Sequence, residues 1–289
     1  MGRIGMLWML ITVWTSIMLL TACANQEAEL SVKSGEILQM EVTKEQKKAG
    51  RLDLNGDGRK ESLYLEGFSD NSLDAGYARW QNGDAYLNDR YRIRVNRTSS
   101  ESGYCNILHP VLMAFSPDGE TILLAVFDEG PSDDPVTSFF LYDGKSVHTA
   151  GSIPGDLRTV EVTDGVIRCS FRGDMLQTQR AWGYYYWDGN EIVKRQDAVY
   201  EYLDESEWRK EVPLLLIKEI TVYEDRSEKS IALQMRPQEV HCTATDVKKW
   251  VLLEAGDGTK GWIRVDGFAL PSEGNAKVHE VFQGLNMAD

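Results

Sequence analysis

Residues 111–144 read VLMAFSPDGETILLAVFDEGPSDDPVTSFFLYDG. Three apolar stretches, 111–115, 122–127 and 137–142, carry the β-branched and aromatic residues that suit a pleated strand. Pro117-Asp118-Gly119 separates the first two, and Asp143-Gly144 follows the third. An Asp-Gly pair beside a strand is a hairpin signal, because glycine accepts the positive φ of tight two-residue turns. Outward from this stretch the same grammar continues: strand-like segments stand at 37–42, 62–67 and 91–95, and again at 159–162, 166–171, 181–187 and 191–194. Asp164-Gly165 and Asp188-Gly189-Asn190 punctuate the later ones. Turns at this spacing predict a mainly β protein, a sandwich, barrel or propeller. Helix is expected only briefly, at 44–50, 205–211 and 278–285, the last docking through Val281, Phe282 and Leu285.

The chain has 289 residues and a net charge of −14, which disfavours nucleic acid and anionic lipid surfaces as partners. Its length suits about two domains. A charged stretch ending at Pro213 places a boundary at 205–213. Four cysteines are too few for a disulfide scaffold. The spacing of Cys105, Cys169 and Cys242 selects no pair, so buried free thiols are the expected state.

Residues 1–22 carry one cation, Arg3, then an apolar run from Ile4 to about Leu20, then Thr21-Ala22 before Cys23. This is the layout of a secretory signal. Leu20-Thr21-Ala22-Cys23 resembles the lipobox of bacterial lipoproteins, which implies that Cys23 receives diacylglycerol and begins the mature chain. An uncleaved signal anchor is the alternative, since the run is nearly long enough to span a bilayer. Either way residues 24–289 are expected on the extracytoplasmic face of the cell membrane, with 23–35 as lipidated cysteine and tether.

Residues 53–61 read DLNGDGRKE. Asp53, Asn55, Asp57 and Glu61 occupy positions 1, 3, 5 and 9 of a loop, with Gly58 at the sharp turn and the Arg59 carbonyl at position 7. Alternating positions of a tight loop aim hard oxygens at one centre, which suits Ca²⁺. Position 12 is Tyr64, so the loop is not an EF-hand. A D-x-N-x-D-G-x-x-E loop running into a strand resembles the loops of FG-GAP (VCBS-type) repeats. The resemblance covers about fifteen residues and implies a structural Ca²⁺ at the edge of a β-propeller blade. One such copy is found, which implies a propeller-like or partial-propeller domain over 36–205 and not a closed ring. The acidic segment 128–135 is a second, weaker candidate for a cation or ligand loop.

Residues 248–265 read KKWVLLEAGDGTKGWIRV. Trp250, the Asp257-Gly258 turn and Lys260-Gly261-Trp262-Ile263 resemble the end of a bacterial Src-homology-3-like domain, a small β-barrel that fits 213–270. The first half departs from that family's pattern: Ile220-Thr221-Val222-Tyr223-Glu224-Asp225 stands where an L-N-[VL]-R-x-x-P stretch is usual. The family implies binding of peptidoglycan, peptides or neighbouring domains. Trp250 and Trp262 are read first as core residues. Residues 271–289 form a tail.

No signature of catalysis is found. The four histidines are isolated, without zinc spacing, and no G-x-S-x-G, phosphate loop or dinucleotide motif occurs. Cys105 and His109 lie four apart but lack an orienting partner in the sequence. The run Trp182-Gly183-Tyr184-Tyr185-Tyr186-Trp187 alternates as a strand, with one face for the core and one that could stack on a sugar ring. These observations predict a calcium-stabilised, membrane-anchored lipoprotein with a non-catalytic binding or scaffolding role toward cell-wall glycan or an envelope protein. A cell-wall hydrolase and a lipid-anchored solute-binding protein are the alternatives.

Overall fold

The computed structural model describes residues 32–41, 48–68, 79–81, 84–108, 110–130, 134–203 and 212–287. Contacts divide the chain into Met1–Leu30 and Ser31–Asp289, and the description that follows concerns the second unit. The apolar run 4–20 and the Cys23 lipobox lie outside the described residues, as do most of the 23–35 tether, 42–47, 131–133 and 204–211. Among the described residues no helix is long and apolar enough to cross a membrane.

The chain is mainly β, and its sheets curl into half-barrels. β1 (Ile37–Glu41) leads into β2 (Lys48–Leu52), β3 (Glu61–Phe68), β4 (Arg79–Gln81), β5 (Asp84–Val95) and β6 (Thr98–Leu108). β2 to β6 form their own sheet, built on the long β5–β6 hairpin. β7 (Val111–Phe115), β8 (Leu123–Asp128), β9 (Val136–Tyr142) and β10 (Val147–Pro154) run as one antiparallel meander, with β1 added at its edge. β11 (Glu161–Thr163), β12 (Val166–Arg172), β13 (Arg180–Trp187) and β14 (Ile192–Lys194) form a second meander. A single parallel pair, Gly151 with Ile192, joins the two into one nine-stranded sheet.

Alternation decides which side of each strand is buried. In β12 the residues Ile167, Cys169 and Phe171 point inward while Arg168 and Ser170 are partly exposed. Met113, Phe115, Ala125 and Phe139 of the first meander pack with Ile167, Cys169, Tyr185 and Ile192 of the second, so the curled sheet closes on a shared core.

The C-terminal sheet contains β15 (Tyr200–Glu201), β16 (Leu215–Leu216), β17 (Ile220–Tyr223), β18 (Ala232–Met235), β19 (Gln238–Thr245), β20 (Trp250–Ala255) and β21 (Lys260–Arg264). β22 (Ala269–Leu270) and β23 (Ala276–Lys277) pair around a 3-10 turn, and α1 (Val278–Val281) leads to β24 (Phe282–Gln283), which pairs β16. The core of this sheet holds Val222, Val251, Leu253 and Ile263. It also takes in Phe171, Ala181, Tyr200 and Tyr202 from the other side of segment 204–211.

Three local expectations change. Lys48–Gly50, read as helical, lies in β2, where register with β3 gives its amides partners. The helix expected over 278–285 is a single turn, because the chain straightens at Phe282 to pair β16. Val281 and Phe282 are buried as expected. The strand placed at 91–95 is the end of the twelve-residue β5.

Candidate functional sites

The loop between β2 and β3 begins at the Leu52–Glu61 pair and is pinned by buried Leu52 and Leu54. Gly56 and Gly58 have φ of 70° and 82°, the left-handed region that a side chain would strain. Within the loop the oxygen-bearing side chains cap amides. Asp53 Oδ2 accepts from Gly58 N at 2.8 Å and Asp57 Oδ1 from Arg59 N at 2.8 Å. Asn55 Oδ1 accepts from Asp57 N at 3.2 Å, and Glu61 Oε2 from Leu54 N at 2.9 Å. Two features fit a cation. Asp53 Oδ1 is buried without a hydrogen-bond partner. Glu61 is only 5% exposed, and the described residues offer its carboxylate no cation. A buried carboxylate and an orphaned oxygen are costly unless a charge or donor offsets them. Asp57 and Asn55 remain exposed, and among the described residues no three His, Cys, Asp or Glu side chains converge as a metal cage. Asn55 lies against Gly144 of the β9–β10 turn.

The second candidate is the outward face of β12, β13 and β14. Trp182, Tyr184 and Tyr186 alternate along β13 on that face, and Tyr186 is 40% exposed. Cross-strand register sets Arg168 beside Tyr184, Ser170 beside Trp182 and Arg172 beside Arg180. The Arg168 guanidinium lies 4.1 Å from the Trp182 ring centre, and that of Arg195 lies 4.2 Å from Tyr184. Stacking holds each guanidinium plane while leaving in-plane N–H groups for acceptors. Arg168 pairs with Glu161, Arg195 with Asp197 and Arg172 with Asp174. Arg180 differs: Nε donates to Ser170 Oγ at 2.8 Å and Nη2 to Ser170 O at 2.9 Å, with no carboxylate among the described residues. The aromatic strand was legible in the sequence. The arginines were not, because they arrive from three strands and meet only through register.

On the inward side, Lys194 lies over Phe171, and burial lowers its ammonium pKa to about 8. Burial pushes the Cys169 thiol up to about 12. Cys105, Cys169 and Cys242 are buried free thiols. Trp250 meets Tyr223 edge-on at 5.9 Å, and Arg226 covers Trp262 at 5.8 Å.

One cluster has the residue types of a nucleophile, base and acid: Ser146, His148 and Asp143 on the β9–β10 turn. His148 Nε2 lies 2.7 Å from Ser146 Oγ and 2.9 Å from Asp143 Oδ2. Both partners use the same ring nitrogen, so the imidazole cannot relay a proton between them as a base held by an acid on its other nitrogen would. The His148 bond and the Ser146 and Lys145 amides hold the Asp143 carboxyl far below the usual range. Cys105 is buried, and His109 lies outside the described residues.

Comparison with known families, curated proteins and solved structures yields no match to this chain.

Proposed function

We propose that this chain is a lipid-anchored protein of the extracytoplasmic face of a bacterial cell membrane, one that binds an acidic cell-wall glycan without transforming it. The observation that carries the reading is the β12–β14 face, where Trp182, Tyr184 and Tyr186 stand among stacked arginines and Arg180 has no carboxylate partner. Aromatic rings suit the apolar faces of sugars, and arginine suits their carboxylates. The whole chain is acidic, so the local arginines and not the overall field must draw the anion.

The remaining parts of the reading rest on separate features. The lipobox at Cys23 supports the anchor. The sequential order of the β7–β10 and β11–β14 meanders supports blade-like units of a partial propeller, and the curled β16–β21 sheet around Trp250 and Trp262 supports a Src-homology-3-like barrel. The 53–61 loop would hold a structural Ca²⁺ through Asp53, Asn55, Asp57, the Arg59 carbonyl and Glu61, with orphaned Asp53 Oδ1 as the support. The ion would neutralise the loop's carboxylates and stiffen its link to β3.

The test is co-sedimentation of the Ser31–Asp289 unit with insoluble cell-wall glycan. Trp182→Ala and Arg180→Gln should each weaken binding by roughly tenfold, with melting temperatures near that of the parent. An unmodified chain that stays in the supernatant, or binding indifferent to both substitutions, would refute the reading.

A further inference from the structure

The C-terminal sheet ends on β18, which pairs β17 on one side and, among the described residues, no strand on the other. Residues 230–235 read SIALQM, without charge or proline. Charges and prolines are the devices that usually keep a sheet edge from pairing. Ile231 is 64% exposed and Leu233 45%, although both fall on the same side of the strand as buried Met235. Leu233 stands opposite Val222, which is fully buried. The apolar side of the hairpin therefore runs on past the end of its core.

We propose that this edge is an interface for a second copy of the chain, with β18 pairing antiparallel to itself about a two-fold axis at Ala232. Glu224 N donates to Ile231 O at 3.0 Å, so Ile231 and Leu233 turn their backbone groups toward β17, and the alternation of an antiparallel ladder turns those of Ala232 and Gln234 to the open side. The Ser230 amide is occupied by Ser227 O at 3.0 Å, which leaves its carbonyl to accept. With Ala232 opposite Ala232 of the second copy, the two residues exchange both backbone bonds, and each Gln234 amide reaches the Ser230 carbonyl across the axis. Ile231 then faces Leu233 in a non-hydrogen-bonded pair, where side chains approach most closely.

The same register sets Glu228 opposite Arg236 at both ends. Glu228 uses one carboxylate oxygen for Arg264 at 3.2 Å, and Arg236 has no ion-pair partner among the described residues. Neighbouring registers lose this complementarity. Centring on Ile231 opposes Arg226 to Arg236, and centring on Leu233 opposes Glu228 to Gln238 and Arg236 to Ser230. Charge complementarity thus selects both the occupant, a second copy, and the register. The contact is small, so the dimer is expected to be weak and concentration-dependent.

Sedimentation velocity of the Ser31–Asp289 unit over a dilution series tests this. The account expects a reversible monomer–dimer equilibrium, a monomer at every concentration for Leu233→Lys, and a roughly tenfold higher dissociation constant for Arg236→Glu. Combining Glu228→Arg with Arg236→Glu should restore most of the lost affinity. If Leu233→Lys fails to fold, the charge-reversal pair decides alone. A parent chain that stays monomeric, a dimer that Leu233→Lys leaves intact, or a double reversal without restoration would each overturn the proposal.

Discussion

Glu66 stands on β3, 7% exposed, with Arg92 Nε at 2.8 Å and Arg94 Nη2 at 3.0 Å. Burial alone would raise its pKa, but hydrogen bonds and charge from the two arginines outweigh that and hold it below the ordinary glutamate value. The folded value is depressed, so the group contributes stability above the unfolded value of about 4.3 and loses it as pH falls through the folded one. Glu66→Gln should cost about 1–3 kcal/mol at pH 7, at the low end for a broken buried pair because both arginines reach solvent. Melts from pH 7 to 3 should show the gap between parent and variant closing below about pH 4; a gap that stays constant would contradict the assignment. No sequence pattern announces this triad, since its arginines lie 26 and 28 positions away along the chain and meet Glu66 only through the β3–β5 register. Glu61, on the same strand, has no such arginine, which is why a cation is assigned to its loop.

Among elements, the strands with apolar alternation and Asp-Gly turns were legible, and β7, β8, β9, β12 and β13 stand where that grammar puts them. β6 was not, because TSSESGYCNIL is polar and aperiodic. It is a strand because β5 supplies its backbone partners along nearly its whole length. The Asp53 loop was legible from spacing alone, whereas the side-chain bonds that turn its oxygens onto loop amides were not. Gly261 shows a physical reason for one residue of the Gly-Trp-Ile stretch: a methyl there would overlap Val222 of β17, where β17 crosses onto β21. Gly261→Ala should therefore destabilise by about 1–3 kcal/mol through overpacking, read as a drop of several degrees in melting temperature. An unchanged melt would mean that β17 and β21 pack less closely than described.

For the whole molecule, the change of sheet near 204–211 is not a change of core. Tyr200 pairs with Thr245, Tyr202 O–H donates to Gly173 O at 2.9 Å, and both rings lie in the core that holds Val222 and Leu253. At the far end, Asn286 N donates to Gln177 Oε1 at 3.2 Å and Thr178 N to Asn286 O at 2.7 Å, tying the C-terminal segment back to the loop between β12 and β13. The sequence placed a boundary in the charged segment because composition shifts there; it could not show that aromatic residues on one side complete the core on the other. Two halves with a common core should unfold together. A ligand that binds the folded form at the 53–61 loop should then raise the melting of the entire unit by mass action. Scanning calorimetry of Ser31–Asp289 with Ca²⁺ and with EDTA, beside Asp53→Ala, tests this most directly. The account predicts one transition, moved up by Ca²⁺ in the parent and unmoved in the variant. Two separate transitions, or a parent that melts identically in Ca²⁺ and EDTA, would contradict it.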